Sequence, residues 1–117
     1  MEQPPHDSVH HDLPHPARED LVLTQVLFAL SDPGRLAIVK EVAAGPCEMA
    51  NCNALSPEIP KSTRSHMAKV LRESGLVWSA AAGRCRTLTL RREDLEARFP
   101  GLLDAVLGPQ ALPAEAE

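Results

Sequence analysis

The sequence predicts a mostly α domain that closes on a small β-hairpin, an α+β fold of one unit. Three observations carry this. Helical apolar periodicity, punctuated by Pro and Gly, runs up to residue 75. Past Gly75 the pattern turns to short strand-like runs. The 117 residues are 44% hydrophobic and only 3% aromatic, enough for one aliphatic core and not for two.

Residues 1–18 are rich in Pro and His with little apolar content, and a disordered tail is expected there. A first helix is expected from about Glu19 to Leu30. Leu21, Val22, Leu23, Val26, Leu27, Phe28 and Leu30 leave only Thr24 and Gln25 polar. A helix apolar nearly all round is buried on two sides, one its own core and the other a partner subunit. Asp32 then offers an N-cap and Pro33 a first-turn residue for a second helix. Leu36, Val39, Val42 and Ala43 form its inward face, and Gly45 stops it.

A short helix is expected over Cys47–Ala54, followed by a loop from Leu55 to Pro60. Lys61 to Ser74 reads as an amphipathic helix ended by Gly75. Thr63, Met67, Val70 and Leu71 share one side; Lys61, Ser62, Ser65, Lys69 and Arg72 share the other. Strands follow at Leu76–Ser79 and Arg84–Leu90, with Leu88 and Leu90 on one face and Arg84 at the hairpin tip. A hairpin directly after a basic helix is a wing, so the architecture is a winged helix-turn-helix. The last helical region, Arg92 to Leu107, carries Leu95, Phe99, Leu102, Leu103 and Val106 and is broken by Pro100-Gly101. Residues 19–108 make the domain and residues 109–117 a frayed tail.

Net charge is −4, but it is unevenly spread. Residues 1–60 carry −6, residues 61–92 carry +7 and residues 93–117 carry −5. A basic block between acidic ends is an electrostatic footprint for phosphates, which need local positive charge. No apolar run approaches the roughly 20 residues of a membrane span, and the first residues do not read as a signal peptide. A cytoplasmic protein is expected, with Cys47, Cys52 and Cys85 as thiols. No Ser-His-Asp or Cys-His pairing has a supporting motif, so no enzyme is expected.

Two stretches point to a family. Ala29-Leu30-Ser31-Asp32-Pro33-Gly34-Arg35-Leu36 resembles the entry to the second core helix of the ArsR-type repressors, the arsenical-resistance repressor family. Lys61-Ser62-Thr63-Arg64-Ser65-His66-Met67-Ala68-Lys69-Val70-Leu71-Arg72-Glu73-Ser74-Gly75-Leu76-Val77 resembles its recognition helix and first wing strand, and Gly83-Arg84 its wing. The resemblance covers about Asp20 to Leu107 and implies a dimeric winged-helix protein that leaves DNA on binding metal, metalloid or another signal. The chain departs from the pattern in three places. Ser56-Pro57-Glu58-Ile59-Pro60 lengthens the loop before the recognition helix. Gly45 stands where the family's metalloid sensors carry a second cysteine ahead of Cys47, and the last helix lacks the family's histidine.

These readings assign double-stranded operator DNA to the helix surface. Lys61, Ser62, Ser65 and His66 would meet the major groove, with Thr63 and Arg64 in the same set, and Lys69 and Arg72 would meet phosphates. Arg84 and Arg86 would make wing contacts. The homodimer interface would use Leu23, Val26 and Leu27 with Leu95, Phe99, Leu102 and Val106. Cys47, Cys52 and Cys85 have two readings, a metal or redox sensor and plain core packing; the one cofactor class they suggest is a thiophilic metal or metalloid ion. His6, His10, His11 and His15 are metal-ligand types in a polar tail, where a solvated role is expected. The competing function is a winged-helix protein-interaction module, which would show exposed apolar anchors on the basic helix.

Overall fold

The computed structural model describes residues 13–82 and 85–108. In chain order the elements are α1 (Leu23–Leu30), α2 (Pro33–Ala44), β1 (Cys47–Glu48), α3 (Lys61–Ser74), β2 (Val77–Ala82), β3 (Cys85–Leu90), α4 (Arg92–Arg98) and α5 (Leu102–Leu107). The three strands form one antiparallel sheet in the order β1-β3-β2. β2 and β3 make the hairpin, from Val77 opposite Leu90 to Ala82 opposite Cys85. The helices pack over this sheet around an aliphatic core: Val26 and Ala29 of α1, Ile38 and Val39 of α2, Leu71 of α3, Leu88 of β3, Leu95 of α4 and Leu103 of α5. Each such Leu or Ile stabilises the fold by about 1.5–3 kcal/mol through burial alone.

Local chemistry sets the boundaries. Asp32 caps α2, its carboxylate accepting from the Arg35 N–H at 2.9 Å, and Pro33 takes the first turn. Arg35 closes α1 from the next helix: its Nε donates to Ala29 O and its Nη2 to Phe28 O, while its guanidinium lies 5.1 Å over the Phe28 ring. Gly75 ends α3 at φ +88°, with its N–H and that of Leu76 returning to the carbonyls of the last turn. A Cβ at Gly75 would also run into the Leu21 side chain, so both backbone and packing demand glycine. Gly101, at φ +86°, starts α5 after the break at Pro100.

Three expectations need correction. The first helix begins at Leu23, not Glu19: Arg18–Asp20 is a 3-10 turn and Val22 is extended, with no capping side chain. Residues 13–18, placed in a disordered tail, instead form a strap held by arginines. Arg72 donates to Pro14 O at 2.7 Å, Arg91 to Pro16 O at 2.8 Å and Arg98 to Arg18 O at 2.8 Å. Low apolar content misled here because the strap is anchored by its carbonyls. The helix expected over Cys47–Ala54 is replaced by β1 and a 3-10 turn, Met49–Asn51. Pro46 and Asn51 favour extended and turn backbone, Asn51 Nδ2 donates to Glu48 Oε1 at 2.9 Å, and β3 offers Cys47 and Glu48 a ladder.

The surface of α1 behaves as its composition implies. Leu23, Leu27 and Phe28 are exposed, Phe28 to 62%, and so is Val22 just before the helix. Phe99, Leu102 and Val106 are half-buried. Val26 and Leu95, assigned to a subunit interface, are fully enclosed in the chain's own core and belong to packing instead.

Candidate nucleic-acid interface

Helix α3 turns Met67, Ala68 and Leu71 into the core. Lys61, Ser62, Thr63, Ser65, His66 and Lys69 are exposed. Thr63 thus leaves the inward stripe that periodicity gave it and joins the polar face. Lys61, Ser65 and Lys69, at i, i+4 and i+8, run along one edge of the helix and line a groove of about 770 Å³. The far wall is Ser79 of β2 and Arg86 of β3; Met49, Pro57 and Ile59 supply apolar floor. Arg86 Nη1 donates to Ser79 Oγ at 3.1 Å, so the wing strand and the groove wall are tied across the hairpin. Arg84, expected to make a wing contact, lies outside the described residues.

Two assigned arginines turn inward. Arg64 is a clamp on the lengthened loop: its guanidinium donates to Met49 O at 3.0 Å, Ser56 O at 2.8 Å and Ile59 O at 3.3 Å. Arg72 is 7% exposed and holds Pro14 O. Arg91 and Arg92 also bond internally, to Asp94 and Pro16 O and to Ala43 O. Half of the eight bases in 61–92 therefore organise the scaffold, and the exposed positive charge on α3 rests on Lys61 and Lys69.

Behind the groove lies a cluster that sequence reasoning missed. Arg91 is 2% exposed; it stacks 3.9 Å over the Trp78 ring and pairs with Asp94 at 2.9 Å. Asp94 also accepts from Arg18 Nε at 2.7 Å. Burial alone would push the Asp94 carboxyl up, but the hydrogen bonds and charges of Arg18 and Arg91 hold it below the usual carboxylate range. His15, considered as a metal-ligand type, lies 5.2 Å from Trp78 and accepts the Ser79 N–H on Nε2 at 3.0 Å. His6, His10 and His11 lie outside the described residues. Contacts that join residues 58 to 80 positions apart leave no local signal in a sequence.

The cysteines come together by a different route from the one expected. Cys47 on β1 and Cys52 after the 3-10 turn are both free and buried, at 6% and 4% exposure. Burial pushes the Cys47 thiol up to about 12, with the adjacent Cys52 and the charges of Glu41 and Glu48 adding. The Cys85 side chain is outside the described set. Among the described residues no three His, Cys, Asp or Glu side chains are arranged to hold a metal ion, so the donor set here is two thiols. Because the thiolate is the reactive form, iodoacetamide at pH 7.5 should modify Cys47 at least about 100-fold more slowly in the native protein than in urea. Peptide mapping that found equal rates would show that the fold does not shield it.

No protein-family model matches the chain. Over 90 residues, which span 75% of this chain and 89% of the relative, it is 31% identical to an uncharacterized HTH-type transcriptional regulator, YceK, of Bacillus subtilis (strain 168). It also superposes on the crystal structure of an ArsR family transcriptional regulator with a TM-score of 0.58, at 24% identity, covering 71% of this chain and 90% of that one.

Proposed function

The chain belongs to the helix-turn-helix transcriptional regulators, in the ArsR-type winged-helix fold, and from that premise we propose that it is a sequence-specific repressor that binds operator DNA as a homodimer and is released by a small signal. The observation that carries this reading is the polar face of α3, where Lys61, Ser62, Ser65, His66 and Lys69 stand exposed beside the wing residue Arg86. Hydroxyl, imidazole and ammonium groups suit base edges and phosphates. The large exposed hydrophobics among the described residues are Val22, Leu23, Leu27 and Phe28, none of them on α3. A protein-docking helix would carry such anchors, so the interaction-module reading has no support here.

The same four residues support the homodimer. Two-fold pairing through α1 would cover them and present two α3 helices about 34 Å apart, one turn of DNA. Replacing Leu27 and Phe28 together with Glu should convert the dimer to a monomer by light scattering at micromolar concentration and reduce operator affinity by at least about 100-fold; a parent that is already monomeric would sink the pairing. For the signal, Cys47 and Cys52 offer two thiols, fewer than the four ligands of a tetrahedral site, and the burial that raises the Cys47 thiol equally suits the plain packing role. Coupling of only about 1–3 kcal/mol would release DNA 5- to 150-fold.

The test of the whole reading is anisotropy of the full chain on DNA from upstream of its own coding sequence, with a scrambled duplex as competitor. Preference for the upstream site of at least about 1,000-fold at physiological salt is expected. Equal binding to both duplexes would remove the repressor assignment. The Cys47→Ser, Cys52→Ser variant should lose any response to arsenite, zinc or peroxide that the parent shows.

A further inference from the structure

The groove beside α3 shares its wall with chain that arrives from outside the described residues. Leu13 lines it together with Lys61, Ser65, Lys69 and Arg86. The following carbonyl, Pro14 O, is fixed to Arg72. Residues 1–12 are therefore tethered at the groove itself. They carry Glu2, Asp7 and Asp12 and no Lys or Arg. Twelve residues reach about 40 Å when extended, whereas the whole of α3 rises only about 21 Å. The segment is long enough to run the full edge of the helix.

We propose that the acidic segment 1–12 docks along the exposed edge of α3 and competes with DNA phosphates for Lys61 and Lys69, so that the chain carries its own brake on DNA binding. Its three carboxylates complement the cations Lys61, Lys69 and Arg86, and Val9 with Pro4 and Pro5 provides apolar surface for the floor at Met49 and Ile59. Each contact is weak in water, but a short tether supplies the segment at an effective concentration in the millimolar range. Operator DNA must displace it, and the apparent affinity falls by the fraction of molecules whose α3 is free. The contact itself stands on charge and tethering; only its consequence for regulation rests on the reading of α3 as the DNA-facing helix.

The chain offers a direct probe, because its lysines are Lys40, Lys61 and Lys69. Lys40 is exposed on α2 and does not line the groove, so it serves as internal reference. The parent and a full-length E2Q, D7N, D12N variant are labelled briefly with an acetylating ester at pH 7.5 and mapped by mass spectrometry; duplex affinity is measured in parallel. If docking occupies about 70–90% of molecules, neutralisation should raise Lys61 and Lys69 labelling, relative to Lys40, by about 3- to 10-fold and tighten DNA binding by the same factor. In the parent, 0.5 M salt should give the same rise in labelling. Unchanged relative labelling of Lys61 and Lys69 overturns the proposal, even if DNA binding tightens through net charge alone. Labelling that rises in a protein that binds no DNA upholds the docking and overturns the DNA reading instead.

Discussion

An Asp94→Asn protein is expected to lose about 3–5 kcal/mol of stability, because the substitution strands a buried guanidinium. The Arg91 side chain is 1% exposed and Asp94 is the anion that faces it, at 2.9 Å. Pro16 O and the Trp78 ring remain as partners, but neither carries a full negative charge. The Arg18 arm of the pair is half-exposed and contributes far less. Urea unfolding at pH 7 and fixed protein concentration measures the loss, and Asp104→Asn, an exposed site, should change stability by less than about 0.5 kcal/mol. The effect has a pH signature. The folded-state pKa of Asp94 is depressed, so its contribution is full above the unfolded value near 4 and is lost as pH falls through the lower folded value. Parent and variant should therefore converge in stability only below about pH 4. An undiminished gap at pH 2 would place the destabilisation in packing rather than in the ion pair.

The second large effect concerns affinity. A Lys61→Ala, Lys69→Ala protein should bind its operator at least about 10-fold more weakly at low salt, and the slope of log K against log salt should fall by about 0.9 for each phosphate contact removed. Arg72→Met provides the contrast. The sequence alone sets Arg72 beside Lys69 as a phosphate ligand, but its guanidinium is buried and bonded to Pro14 O. That variant should lower stability and leave the salt slope within about 0.3 of the parent. Equal slopes for the double-lysine variant and the parent would move the DNA face off this helix.

The fate of Arg72 marks how far the sequence could be read. The extent of α3 from Lys61 to Ser74, the Asp32-Pro33 start of α2, the hairpin past Gly75 and the break at Pro100-Gly101 were legible, because caps, breakers and periodicity act within a few residues. β1 was not legible: two residues pair with a strand 40 positions away and carry no pattern of their own. Nor could composition separate a guanidinium aimed at phosphate from one aimed at a carbonyl. Lys61 and Lys69 stayed outside, where a compact hydrated ammonium keeps its water. Arg64, Arg72 and Arg91, whose planar forks match several acceptors, went inside. The strap was missed for the same reason, since what holds it belongs to other segments.

The short β1 has a mechanical meaning. Cys47 sits opposite Leu88, two residues along β3 from Arg86 and therefore on the same face of the strand as that wing residue. Cys52 follows the 3-10 turn that leads away from β1, and Arg64 grips the same turn through Met49 O. The thiol pair is thus joined to the rest of the fold by two routes. One is a ladder of backbone hydrogen bonds ending in the hairpin. The other is the 3-10 turn itself, which packs against α3 and is gripped by Arg64 from that helix. On the proposed DNA-binding reading, a change at Cys47 has a direct backbone route to the strand that carries Arg86.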